Sequence, residues 1–98
     1  MLLMSLAFSS KISAQYVPMT FQNGSLKSIS LEIPGVMNPN LNPMSNSGVS
    51  LKIGQKVFFY PKGKKELLFV VDSSIKKDTV LRIDEIIKAR KIELKINE

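Results

Sequence analysis

The chain has 98 residues, room for a single domain. Hydrophobic residues make up 44% and charged residues 22%, a balance that excludes a disordered or low-complexity chain. Cysteine and histidine are both absent and the net charge is +6. Those absences exclude a disulfide scaffold, a lipid-anchored lipoprotein with Cys after its signal, and chemistry built on a His base or ligand.

Leu2 to Phe8 (LLMSLAF) is an apolar run. It is followed by a small, polar stretch ending at Ala14, the pattern of a signal peptide cut after Ala14. Residues 1–14 are therefore expected to be an export signal, and 15–98 one β-rich domain. The run is too short to span a bilayer as a helix, which takes about 20 apolar residues. Before it, only the α-amino group of Met1 supplies the usual positive charge. That predicts a true start lying further upstream.

Tyr16 to Phe21 reads as a first strand, with Pro18 suggesting a sheet edge. Gln22 to Ser25 is expected to turn, because Asn-Gly favours positive φ. Ile29, Leu31 and Ile33 alternate with polar residues, which predicts a half-buried strand over 27–33. Pro34 to Gly48 is dominated by Pro, Gly, Asn and Ser and is expected to be one long loop. Loops of that length are functional or mobile.

Val49 to Ile53 alternates again, with Val49, Leu51 and Ile53 inward. Gln55 to Tyr60 and Glu66 to Val71 are strongly β-prone and form a hairpin. Tyr60-Pro61-Lys62-Gly63 suits a type I turn at its tip. The apolar run ELLFVV predicts that its second strand is central and buried on both faces. Thr79 to Arg82 reads as a short strand. Asp84 is a plausible N-cap for a helix ending near Leu94. A strand over 91–96, where Ile92, Leu94 and Ile96 alternate, is the rival. The expected fold is mainly β, a small β-sandwich or open barrel of about six strands with one C-terminal helix.

Ser73-Ser74-Ile75-Lys76 matches the S-x-x-K pattern, but its S-D-N and K-T-G partners are missing. The eight acids fall mostly in turns or on the helix, where solvation or capping explains them. An enzyme is therefore not expected. No catalytic residue, metal ligand or cofactor is assigned. Lys52 to Lys65 is basic and carries Phe58 and Tyr60, a combination that can stack on single-stranded nucleic acid. Export argues against that partner. Asn23-Gly24-Ser25 matches the N-glycan sequon, and Asp78-Thr79-Val80 resembles an O-glycosylation signal of Bacteroidota.

Two surfaces are expected to bind partners. Val36, Met37, Leu41 and Met44 are apolar residues in the Pro34–Gly48 segment, suited to a protein of the cell envelope. Lys62, Lys64 and Lys65 at the hairpin tip, with Lys88, Arg90 and Lys91 on the helix, suit an anionic polymer: an envelope polysaccharide or lipid headgroups. The leading expectation is a non-catalytic envelope module acting through the apolar segment, with polyanion binding second.

The run SISLEIPGVMNPNLNPMSNSGVSLKIGQKVFF, Ser28 to Phe59, resembles a group of small exported proteins of Bacteroidota. Ser13-Ala14-Gln15 at the signal end fits the same group, and Asp84 to Leu94 fits it loosely. The resemblance implies a periplasmic or extracellular location and transfers no activity.

Overall fold

A computed structural model of the chain describes residues 16–96. The expected signal peptide lies outside the described residues. Seven strands occur among them: β1 (Tyr16–Asn23), β2 (Ile29–Glu32), β3 (Asn40–Leu41), β4 (Ser45–Lys52), β5 (Lys56–Phe59), β6 (Glu66–Val70) and β7 (Thr79–Arg82). One helix, α1 (Ile83–Leu94), follows β7 without a loop. The strands form two open sheets, ordered β4-β1-β7 and β3-β2-β5-β6.

Alternation along the strands fills one core between the sheets. Met19, Phe21 and Leu51 enter from the first sheet, and Leu31, Leu41, Val57, Phe59 and Leu68 from the second. Burying one such side chain contributes about 1.5–3 kcal/mol. Phe21 on β1 meets Phe69 on β6 edge to face, with centroids 6.2 Å apart. That contact joins the two layers, and the favoured geometry adds about 0.5–1.5 kcal/mol.

Pro18 is not on an edge strand, because β1 lies between β4 and β7. The Pro18 carbonyl accepts the Asp78 N–H at 2.8 Å, on the β7 side. The N–H and C=O of a strand residue share a side, so the ring nitrogen faces that side as well. The ladder with β7 starts only at Met19, so no bond is lost there.

The expected long loop is folded. Ile33, Pro34, Gly35 and Val36 make a tight turn, closed by Val36 N–H on the Ile33 carbonyl at 2.9 Å. Gly35 takes φ +77°, the glycine position of a Pro-Gly type II turn. β3 then returns along β2, and β4 starts at Ser45 rather than at Val49. Ile53, expected inward, sits 39% exposed in the turn after β4.

β6 is likewise an edge strand rather than a central one. Its apolar residues pack on the core through Leu68 and Phe69, while Val70 is exposed. The hairpin turn exists, but Lys62 adopts φ 55°, ψ 32°, which a type I turn does not allow.

The turn after β1 contains no positive φ. A Cβ at Gly24 would stand 3.2 Å from the end of the exposed Arg82 side chain, which can shift to admit it. Asn23 is fully buried. Its Nδ2 donates to the carbonyls of Lys27, Leu41 and Asn42 at 2.8, 3.2 and 3.1 Å. Its Oδ1 accepts the Ser25 N–H and hydroxyl at 2.9 and 2.7 Å. The sequon asparagine is thus a buried brace between two turns, closed to a glycan in the folded chain.

The helix, not the rival strand, occupies 91–94. It ends in a Schellman motif, with Lys95 N–H on the Ile92 carbonyl and Ile96 N–H on the Lys91 carbonyl. Asp84 is not its N-cap. Arg82 holds that position without a side-chain cap, and Asp84 lies in the first turn.

Candidate functional site

The C-terminal end of β1 opens onto a hollow of about 730 Å³. Three elements wall it: the β1–β2 connection, the turn between β5 and β6, and one flank of α1. Lys27 comes from the first, Lys62 from the second, Arg82 from the end of β7, and Lys88 and Lys91 from the helix. Asp84 and Glu85 are the two acids in the same lining. Ile29, Phe59, Pro61 and Ile87 supply an apolar floor, beside a Tyr60 that is 41% exposed.

Both acids are engaged. Asp84 Oδ1 accepts the Gly24 N–H at 3.1 Å, and its Oδ2 stands 3.9 Å from the Arg82 guanidinium. Glu85 lies 3.8 Å from Arg82 and 3.9 Å from Lys88. The pairs of Glu85, exposed and loosely spaced, hold their partners weakly, by about 0–1 kcal/mol, whereas the Asp84 side chain is only 11% exposed. The lining carries five cations against two acids, an excess of positive charge.

The structure divides the six expected polyanion residues. Lys62, Lys88 and Lys91 converge on the hollow. Lys65 stands apart, bonded to Glu32 at 3.0 Å with its ammonium 4.6 Å from the Phe58 centroid. That contact covers the ring face a nucleobase would need. Arg90 Nε donates to the Leu67 carbonyl and its Nη1 pairs with Glu93 at 2.9 Å. Lys64 is exposed beyond the turn and does not line the hollow. Lys27 and Arg82 were missed by sequence reasoning. Lys27 is far from both basic clusters along the chain, whereas Arg82 is the N-cap residue of the helix that carries Lys88 and Lys91; the parallel pairing of β7 with β1 sets that end of β7 beside the β1–β2 connection.

The apolar set is also divided. Leu41 is a core residue at 1% exposure. Val36, Met37 and Met44 are exposed at 50, 42 and 68%. Met44 N–H bonds the Ser25 carbonyl just before β4 begins, whereas Val36 lines a small hollow with Leu51 and Lys52 near the far end of β4. Those ends are separated by about 20 Å of strand at about 3.3 Å per residue. The four residues do not make one patch.

Glu32, Tyr60 and Lys65 form a polar cluster on the outer face of the second sheet. The Tyr60 hydroxyl donates to Glu32 Oε1, and Lys65 binds Oε2. The Tyr60 hydrogen bond, then Lys65, hold the Glu32 carboxyl below its ordinary range, and Glu32 raises Tyr60 above its own. A carboxylate held ionised in this way is the reverse of a general acid. Ser73 and Lys76 lie in the exposed turn between β6 and β7. Among the described residues no three Asp or Glu gather as a metal site, and no helix is long and apolar enough to cross a membrane.

Comparisons with protein-family models, curated proteins and solved structures yield no match to this chain.

Proposed function

We propose that this chain is a non-catalytic binding module of the cell envelope whose basic hollow holds an acidic polysaccharide. The observation that carries the reading is the convergence of Lys27, Lys62, Arg82, Lys88 and Lys91 on one concavity containing only two acids, both engaged. Spaced cations beside an exposed tyrosine and an apolar floor suit a charged chain with sugar faces. A concave wall suits a chain better than it suits a flat bilayer. The envelope location rests on the expected signal in residues 1–14 and on the resemblance to exported Bacteroidota proteins.

The test is calorimetric titration with heparin fragments at low and physiological salt, beside vesicles of phosphatidylglycerol. Binding to heparin that weakens with salt and is lost in Lys62→Ala/Lys88→Ala supports the reading. Lys76→Ala/Lys77→Ala, in an exposed turn outside the hollow, should leave it unchanged. Equal loss in both double variants would reduce the effect to net charge. Binding to vesicles alone would replace the polysaccharide with a lipid surface.

A further inference from the structure

The backbone of β4 is bonded along one side only. Asp78 N–H on the Pro18 carbonyl shows that the even-numbered residues of β1 address β7, so the odd-numbered ones address β4. In the register Met19↔Val49 and Phe21↔Ser47, the odd residues of β4 bond β1. Asn46, Gly48 and Ser50 therefore turn their N–H and C=O groups outward. Among the described residues no backbone bond reaches those groups, and all three residues are exposed.

The other sheet edges are shorter, and that of β6 is partly covered. β3 has 2 residues and β7 has 4, ending in Arg82. β6 has its Leu67 carbonyl capped by Arg90. β4 is 8 residues long and carries neither Pro nor bulge, with its one charge, Lys52, at the far end. A long, unbulged, weakly charged edge lacks the devices that keep strands from pairing with another chain.

Gly48 is a second, independent observation. It sits mid-strand, where glycine is destabilising by about 0.5–1 kcal/mol relative to Ala. Its φ is not positive, and a Cβ there would meet nothing within 4 Å. A glycine there leaves the middle of the edge without a side chain to shield its outward N–H and C=O.

We infer that the β4 edge pairs antiparallel with β4 of a second copy of this chain, making one six-stranded sheet across a twofold axis at Val49. That register sets Gly48 opposite Ser50 of the second copy, with both bonding groups facing. It sets Lys52 opposite Asn46 of the second copy and keeps the two Lys52 side chains about 20 Å apart, beyond a Debye length of about 8 Å. β4 carries one charged residue in eight, so two copies of a chain of net charge +6 meet across this edge with little direct repulsion. The twofold closes the assembly, because each copy offers one such edge.

The experiment is sedimentation velocity of the full chain over a wide concentration range, with Ser50→Pro and Ser50→Lys beside it. The Ser50 N–H is not used within the chain, so Ser50→Pro removes a bond only from the pairing. Ser50→Lys places a charge mid-edge without touching backbone geometry. The expected result is a monomer–dimer equilibrium that both variants shift to monomer, with far-UV circular dichroism unchanged and melting unchanged at concentrations where the unsubstituted chain is monomeric. If Ser50→Pro unfolds the chain, Ser50→Lys decides. A monomer at every concentration, a dimer untouched by Ser50→Lys, or growth into larger species would each overturn the inference.

Discussion

The Nε of Arg90 donates to the carbonyl of Leu67 at 2.8 Å, so a helix side chain closes the exposed edge of β6. An edge carbonyl near the core otherwise needs water or a foreign strand. The arginine is therefore a structural brace, although its place in a basic helix suggested anion binding.

Arg90→Ala is expected to lower stability by about 1–2 kcal/mol, the cost of leaving a part-buried acceptor unpaired. Thermal melting measures it. Affinity for heparin should stay at the level of the unsubstituted chain, because Arg90 does not line the hollow. An affinity loss as large as that of Lys62→Ala would extend the binding surface round the helix.

Lys62 puts a charge at the rim of the hollow from a backbone at φ 55°, where a non-glycine residue is held at a cost of about 1 kcal/mol. Lys62→Gly should raise the melting temperature slightly while weakening heparin binding. The two readouts move in opposite directions. If they move together, Lys62 acts through the turn rather than through its charge.

Glu32 ties β2 to the β5–β6 hairpin through Tyr60 and Lys65. Its folded pKa lies below the unfolded value, so its contribution is present above the unfolded Glu range and is lost as pH falls through the folded value. Asp72, lowered by the Ser74 hydroxyl and N–H, acts in the same sense. Melting temperature should therefore fall as pH drops below about 4, the ordinary carboxylate range. Tyr60→Phe, which deletes the largest influence on Glu32, should flatten that acid limb. An unchanged limb would place the titration on other carboxylates.

Local chemistry made much of this chain legible. The alternation of Ile29, Leu31 and Ile33 and the β-prone runs around Pro61 located β2 and the hairpin, since a half-buried strand writes its period into its side chains. The late helix was legible from acids in its first turn and Lys91 in its last. Pro34-Gly35 carried a type II turn signal inside a polar segment, yet the segment read as one long loop. The strands around that turn are short and polar on their outer faces, so their period is faint. Tertiary contact alone decided the remainder. β6 and β1 are similarly apolar, but one is an edge and the other is central, because sheet order depends on pairings distant in sequence. Asn23 reads as a turn residue or a glycan acceptor until the carbonyls of Lys27, of Leu41 at the end of β3 and of Asn42 close on its amide. The basic hollow belongs to the same class. Its cations lie on four segments, gathered by the parallel return of β7 beside β1 and by the packing of the second sheet, which carries Lys62, against the first, so neither is written in any one strand.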